Sequence, residues 1–316
     1  MWKKKKSGFP GGIHPTDGYD KAMTMNLPVR EYWPETVTIL TEQSFGGKCS
    51  LLVKPGDKVL KGSQIGKPEA FMAAPLHASV SGEVLDVKEV RQQNRMVLSC
   101  IINEGEKGRE AQKYETEMVS LESYSQEMIL AGIRDGGLTG MGGAGFPTHK
   151  KYETDKSIDS LLINGAECEP FLTCDYRLML EQGYGILNGI CLLLKASGAR
   201  KAYLCIEDNK PEAIRSLRRI LEAAKQSGKI EETQKLEIRE LPAKYPQGGE
   251  RQLIQAVLGR EVPQGGLPAD VGVIVSNVGT AKAAADMILG GMPLIQRIVT
   301  VTGCVKEPGN YLVPVG

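Results

Sequence analysis

The sequence is poor in the side chains that carry acid–base and metal chemistry. It has three histidines in 316 residues, and its seven cysteines are scattered, with neither a C-x-x-C nor a C-x-x-H spacing. Structural zinc sites need such spacings, secreted disulfide frameworks use paired cysteines, and a nucleophilic cysteine needs a partner base. The sequence therefore argues against all three, and it favours reduced thiols in the cytosol.

An excess of one charge and a long apolar run are also missing. The 39 basic and 38 acidic side chains give a formal net charge of +1, whereas a nucleic-acid surface needs a strong or clustered positive excess. Apolar runs such as GILNGICLLLKA, residues 185–196, are too short and too interrupted to span a bilayer. We expect no nucleic-acid partner and a polypeptide that does not itself cross a membrane.

Residues 37–103 contain short β-like segments broken by glycine and proline. Two of these stretches, VKPGDKVLKGSQIG and APLHASVSGEVLDV, resemble the two halves of the barrel-sandwich fold of biotinyl and lipoyl carrier domains. Carriers present a modifiable lysine at the hairpin tip between the halves, but here Lys67 lies only at the start of the connection. We predict a docking or structural module in a first domain spanning residues 1–120.

Beyond residue 120 the pattern changes to strands that alternate with helices. The strand-like runs are SLLIN, KAYLCIE, KLEIREL, DVGVIVSN and RIVTVTG, and the helix candidates cover residues 175–195, 211–225, 249–258 and 280–289. Alternation of this kind predicts parallel pairing, with ligands bound at the carboxyl ends of the strands. We predict an α/β domain over residues 121–295.

A glycine-rich stretch, GLTGMGGAGFPTHKK, opens this domain. Glycine has no Cβ and lets backbone N–H groups approach a ligand closely, so a cluster before a helix suits a phosphate or a flat ring. The spacing is neither the G-x-G-x-x-G of dinucleotide-binding folds nor a Walker A loop. Glycine content alone leaves a structural loop as an equal alternative, and Lys150 and Lys151 favour a phosphate.

Three further junctions place polar groups where strands end or helices begin. Carboxylates in LLINGAECEP could bind ribose hydroxyls and repel a 2′-phosphate, which favours NAD over NADP. Taken alone, this stretch is more typical of an acidic loop in which Asn164 caps a turn. The stretches YPQGGE and VSNVGT each open a helix, although helix capping alone would explain them equally well. Four such junctions in one domain predict a binding site.

Taken together, these segments resemble the C subunit of the Rnf electron-transport complex and, more distantly, the flavin- and NADH-binding subunit of respiratory complex I. GGIHPTDG near the start and VTGCVKEPGNY near the end belong to the same match. The resemblance implies FMN in a modified dinucleotide-binding, Rossmann-like α/β domain after the barrel-sandwich domain. Residues 296–316 would begin a β-grasp domain.

The resemblance also implies a set of residues that bind FMN and NADH, with no general base and no metal ligand among them. They are Gly140, Gly142, Gly143, Ala144 and Gly145 in the flavin loop, Phe146 at the nicotinamide side, Lys151 and, near it, Asn277 and Thr280 at the FMN phosphate, Asn164 and Glu167 by the flavin, Glu169 by the nucleotide, and Gly249 and Glu250 between the two. Ala166 departs from the complex I pattern, which has an acidic residue there, so the transfer from complex I is weaker than that from the Rnf family.

The implied function is that of the NADH-facing subunit of a membrane NAD:ferredoxin oxidoreductase, peripheral on the cytoplasmic face, whose other subunits transport ions. The family's tail carries two four-iron clusters on C-x-x-C-x-x-C-x-x-x-C-P runs, and this sequence stops at Gly316 without one. That ending favours a truncated chain over a protein that has lost its clusters. A soluble cobalamin reductase of the propanediol-utilisation type and a non-catalytic docking scaffold are the alternatives.

Overall fold

The computed structural model describes residues 8–14, 21–105, 115–143 and 145–316. In these residues the strands are β1 (Val29–Glu31), β2 (Thr36–Leu40), β3 (Cys49–Leu51), β4 (Lys58–Val59), β5 (Gln64–Pro68), β6 (Leu76–His77), β7 (Gly82–Gln92), β8 (Arg95–Glu104), β9 (Ser160–Gly165), β10 (Lys201–Glu207), β11 (Leu236–Leu241), β12 (Val273–Asn277), β13 (Gln296–Val301) and β14 (Gly309–Pro314). The helices are α1 (Ala22–Met25), α2 (Gln126–Asp135), α3 (Thr148–Tyr152), α4 (Cys174–Glu181), α5 (Gly183–Ser197), α6 (Pro211–Ser227), α7 (Glu231–Gln234), α8 (Glu250–Leu258) and α9 (Val278–Gly290), with a 3₁₀ turn at Pro268–Val271.

The β-rich region predicted from residue 37 onward forms two small antiparallel sheets around one apolar core. The first has the strand order β2-β8-β7-β4 and the second has the order β3-β5-β6. Alternate residues of β2, Val37 and Ile39, point inward and pack with Ile65, Val84 and Ile102. This period of two is the pattern expected of strands with one buried face, and the prediction of short β segments here is confirmed.

The α/β region is built on a four-stranded parallel sheet with the order β11-β10-β9-β12. Helices α5 and α9 cover one face, whose core includes Leu161 and Ile163, and α8 covers the other, against Leu162. Strands covered on both faces become continuous apolar runs, and this is why SLLIN and KAYLCIE could be identified as strands. The predicted parallel sheet is confirmed.

One predicted helix is divided in the structure. The candidate over residues 175–195 breaks at Gln182, whose φ of −129° and ψ of 38° are not helical, so that α4 and α5 are separate helices. Glycine lowers helix propensity, and here it also permits close packing. A Cβ on Gly183 would come within 3.0 Å of the Ile220 side chain, and one on Gly185 within 2.5 Å of Lys282.

The last strands form a third sheet that includes a strand from the beginning of the chain. β13 and β14 form an antiparallel pair, and β1 lies parallel to β14 with Arg30 opposite Tyr311. The chain therefore pairs with its own last strand before it enters the β-rich region. Among the described helices, none combines the length and the apolar character needed to cross a membrane.

Candidate functional site

The carboxyl ends of β9 and β12 meet at one edge of the parallel sheet and form the floor of a cleft. The two strands are neighbours, and their last polar residues, Asn164 and Asn277, lie opposite each other in register. The cleft has a volume of about 320 Å³. Its lining consists of Gly140, Gly142, Gly143, Gly145, Phe146, Thr148, Lys151, Asn164, Gly248, Gly249, Glu250, Val275, Ser276, Asn277 and Thr280.

The glycine-rich loop forms one wall of this cleft. Its base is closed by the bond from the Gly140 amide to the Phe146 carbonyl at 2.8 Å, and the Met141 amide donates to Thr280 Oγ1 at 3.1 Å. A Cβ on Gly142 would lie 3.1 Å from Asn277 Cβ, whereas the space around the missing Cβ of Gly143 is open to 4 Å. The loop is therefore held at both ends and keeps a bare backbone surface beside the cleft. Ala144, which was also predicted here, lies outside the described residues.

Asn277 fixes the beginning of α9 at the cleft. Its Oδ1 accepts a hydrogen bond from the Gly279 amide at 2.7 Å, which caps the helix, and its Nδ2 donates to Asp175 Oδ2 at 2.7 Å. The 13-residue helix begins at the cleft, where Asn277 and Thr280 are lining residues, and a helix N-terminus carries a partial positive charge. The beginning of α9 can therefore bind an anion.

Lys151 supplies a positive side chain at the same end of the cleft. Its Nζ donates to Glu250 Oε1 and to the Val275 carbonyl, both at 3.1 Å. Thr148, one turn earlier in α3, is 1% exposed, and its Oγ1 has no hydrogen-bond partner although it lines the cleft. A buried hydroxyl without a partner is costly unless a ligand supplies one.

These features together test whether the cleft suits FMN. A phosphate needs a cation and backbone amides, and an isoalloxazine ring needs a flat approach to backbone without intervening Cβ atoms. Lys151 and the N-terminus of α9 meet the first need, Gly142 and Gly143 meet the second, and the free Thr148 hydroxyl offers a further donor. The residues present fit FMN.

The acidic loop that follows β9 lies next to the cleft, and its carboxylates are not among the cleft-lining residues. Asn164 lines the cleft and donates to the Gly248 carbonyl at 2.9 Å. Glu167 is 6% exposed and turns inward, where its Oε1 accepts from the Asp175 amide at 2.8 Å. Glu169 is exposed. Neither glutamate is among the cleft-lining residues, so their roles stay predictions.

The side chains that face inward here give little support for a metal site. Glu167, Cys174 and Asp175 have potential ligand atoms within 4.8 Å of one another. However, Glu167 already accepts a backbone amide and lies 3.7 Å from the ammonium of Lys21. These contacts account for its charge without a metal ion.

Asp175 is the residue at this edge that sequence reasoning missed. Burial, and after it the charge of Glu167, raise the pKa of Asp175 to about 6, and the hydrogen bond from Asn277 opposes this rise. In the sequence, an aspartate in the first turn of a helix indicates only the common preference for negative charge at a helix N-terminus. Only the fold shows that it lies behind the side chain that caps α9.

We expect this buried carboxyl to make stability depend on pH. Its folded pKa of about 6 exceeds the ordinary value of 3.8, so its contribution to stability is complete below pH 4 and is lost as the pH rises through 6. Between pH 4 and 7, the free energy of unfolding of the wild type should therefore fall by about 2 kcal/mol relative to that of Asp175→Asn. Chemical denaturation at each pH measures both values.

Asp270→Asn provides the control for this measurement. A hydrogen bond from the Leu267 amide lowers the pKa of Asp270, so the stability it contributes is lost as the pH falls, which is the opposite direction. Parallel pH curves for the wild type and Asp175→Asn would contradict the assignment.

Comparison with protein families gives one match in the α/β region and another in the β-rich region. Residues 133–303 match the Nuo51 FMN-binding domain, and residues 7–107 match the RnfC barrel sandwich hybrid domain. The first match contains the whole glycine-rich loop and the beginning of α9. The predicted FMN-binding character of the α/β region and the barrel-sandwich character of the β region are confirmed.

Curated relatives extend the likeness to almost the entire chain. The C subunit of a proton-translocating ferredoxin:NAD(+) oxidoreductase complex from Clostridium ljungdahlii is 41% identical over 98% of this chain and 66% of its own length. The C subunit of a Na(+)-translocating ferredoxin:NAD(+) oxidoreductase complex from Acetobacterium woodii is 38% identical over 99% of this chain and 69% of its own length. The C subunit of an ion-translocating oxidoreductase complex from Vibrio cholerae is 37% identical over 96% of this chain and 38% of its own length. The chain thus spans about two thirds of the first two relatives.

Among solved structures, a chain of an NAD+-reducing NiFe hydrogenase in the air-oxidized state has a TM-score of 0.55 at 26% identity. The match covers 62% of this chain and 38% of the hydrogenase chain. Family models, curated relatives and the structural neighbour therefore agree with the resemblance seen in the motifs. The chain belongs to the family of the C subunit of the Rnf ion-translocating oxidoreductase complexes.

Proposed function

We propose that this chain forms the NADH-facing flavoprotein part of an ion-translocating NAD:ferredoxin oxidoreductase. The observation that carries the proposal is the cleft in which the glycine-rich loop, Lys151 and the N-terminus of α9 converge. The FMN-binding family match over residues 133–303 supports it, and so do the names of the relatives. Nothing in the residues or the comparisons favours the cobalamin reductase or the scaffold.

FMN, when bound, would exchange a hydride with the nicotinamide and release the electrons one at a time to the iron–sulfur clusters expected in the family. The chain's own residues would bind FMN and orient it. Lys151 and the amides at the beginning of α9 would hold the phosphate, with Thr280 fixing the glycine-rich loop through its bond to the Met141 amide. Gly142 and Gly143 would let the ring lie against backbone.

The remaining predicted residues would shape the nucleotide side of the cleft. Phe146 would flank the nicotinamide, and Gly249 at the N-cap of α8 would leave room between flavin and nucleotide. Glu169, exposed on the acidic loop, would accept hydrogen bonds from a ribose and repel a 2′-phosphate. Glu167, buried in the acidic loop, would lie by the flavin. No side chain is required as a general base.

In the assembled complex the chain would be peripheral, on the cytoplasmic face of the membrane, and would contact other redox subunits. The barrel-sandwich region would serve as a docking module, with a domain boundary near residue 120 and a β-grasp domain beginning at residue 296. Ion transport would belong to other subunits.

We expect the FMN-loaded chain to reduce ferricyanide with NADH and to use NADPH poorly. Replacing Glu169 by glutamine removes the repulsion of the 2′-phosphate and should narrow the ratio of NADH to NADPH kcat/KM about fivefold. Steady-state assays under anaerobic conditions measure both ratios.

Glu261→Gln, at another exposed glutamate outside the cleft lining, should leave the ratio unchanged. A wild type that used both nucleotides equally would contradict the proposed NADH specificity. If Glu169→Gln leaves the ratio of NADH to NADPH kcat/KM unchanged, Glu169 does not contribute to this specificity.

A further inference from the structure

The N-terminal segment contacts two loops, one that lines the cleft with Gly248 and Gly249 and one that follows the cleft residue Asn164. Residues 8–14 lie along the loop 242–249, and Lys21 lies under the acidic loop 166–172. The GGIHP motif belongs to this segment, and none of its described residues lines the cleft.

The first contact holds the loop that carries Gly248 and Gly249. Ile13 and Tyr245 exchange two backbone hydrogen bonds of 2.8 Å, and Lys244 Nζ donates to the carbonyls of Phe9 and Gly11. This loop is joined in turn to the end of β9, because the Gly248 carbonyl accepts from Asn164 at 2.9 Å.

The second contact is a buried ammonium group. Lys21 is 7% exposed, and its Nζ donates to the Glu169 carbonyl at 3.0 Å and to the Leu172 carbonyl. It also lies 3.7 Å from Glu167 Oε2. Burying an ammonium group is costly unless its donors are satisfied and a counter-charge is near. All three of these partners belong to the acidic loop.

The acidic loop needs such an anchor because it contains strained backbone. Phe171 has a φ of +65°, a left-handed conformation that side chains other than glycine rarely adopt. The Leu172 carbonyl that accepts from Lys21 follows it directly. Beyond Lys21, Thr24 Oγ1 lies 2.7 Å from Thr173 Oγ1, so the end of the loop is held as well.

We propose that Lys21 is a positioning residue for nucleotide binding, which holds the acidic loop so that Glu169 keeps its place beside the nucleotide. The inference rests on the proposed function, because it takes Glu169 as a nucleotide contact. Lys21 itself does not line the cleft. It acts through the loop, and among the described contacts it bonds neither Lys151 nor the beginning of α9, so we expect FMN binding to be retained.

The test compares FMN and NADH binding in the 316-residue chain. Lys21→Met should raise the Kd of NADH for the FMN-loaded chain about tenfold, through loss of charge-assisted bonds, and leave the Kd of FMN unchanged. Backbone amides of residues 166–172 should exchange hydrogen faster in this variant. Lys195→Met is the matched control, because Lys195 bonds one carbonyl, that of Leu121 at 2.7 Å, outside the cleft lining.

Three results would overturn the inference: an unchanged NADH Kd in Lys21→Met, an equal loss of NADH affinity in Lys195→Met, or a parallel loss of FMN. If Lys21→Met does not fold, Lys21→Gln, which keeps an amide donor, should show a smaller loss confined to NADH. A Lys21→Gln chain with wild-type NADH affinity would then refute the role. Failure of the wild type to bind FMN or NADH would instead refute the proposed function.

Discussion

Replacing Lys151 by glutamine should raise the dissociation constant of FMN about 10- to 100-fold. Lys151 is the cation that we propose to hold the FMN phosphate, and its ammonium lies 3.1 Å from both Glu250 Oε1 and the Val275 carbonyl. A charge-assisted hydrogen bond to phosphate contributes about 1.5–3 kcal/mol, which corresponds to this range. Quenching of FMN fluorescence on titration with apoprotein measures the constant directly.

The neighbouring lysine is the matched control. Lys150 pairs with Glu153 at 2.8 Å and lies over the ring of Phe71, and it is absent from the lining of the FMN cleft. Lys150→Gln should bind FMN as the wild type does. Equal losses in the two variants would mean that general positive charge, and not the position of Lys151, draws the phosphate.

A methyl group at Gly189 should have a large effect on stability. Gly189 lies in the middle of α5, and a Cβ there would come within 1.8 Å of the Ala281 carbonyl oxygen in α9. A backbone atom cannot move aside as a flexible side chain can. We expect Gly189→Ala to lose about 3 kcal/mol or more of unfolding free energy.

The same substitution should weaken FMN binding, since Ala281 lies one turn beyond the N-cap Asn277. Displacing α9 moves its first turn, where Asn277 and Thr280 line the cleft. Gly290→Ala, at the other end of the same helix, is the control, because its Cβ would meet nothing within 4 Å. It should be neutral or slightly stabilising. Denaturant unfolding measures the stability of both variants. A Gly189→Ala chain of wild-type stability would contradict the packing of α5 against α9.

Local patterns in the sequence predicted the elements that form this cleft. The strand β9 is a continuous apolar run, and α9 begins directly after a polar strand end, so their type and order follow from periodicity and capping. Parallel pairing then brings Asn164 and Asn277 to one edge. The glycine-rich loop was recognisable from composition, and its role came from family resemblance.

Contacts between distant parts of the chain were not predictable in this way. The pairing of β1 with β14 joins residues 29–31 to residues 310–312, and no local pattern specifies such a partner. The inward turn of Glu167 depends on the amide of Asp175 and on the buried Lys21. In the sequence, each of these is an ordinary charged residue, and only the fold brings them together.

The most direct test of the central claim is to load the 316-residue chain with FMN under anaerobic conditions and follow the flavin absorbance near 450 nm, roughly its usual maximum when oxidised. NADH is added first, and NADPH is added to a separate sample. Our account predicts that FMN binds and that NADH, but not NADPH, bleaches the band. Bound FMN that NADH leaves oxidised would contradict the proposed nucleotide site, and failure to bind FMN would contradict the assignment of the cleft itself.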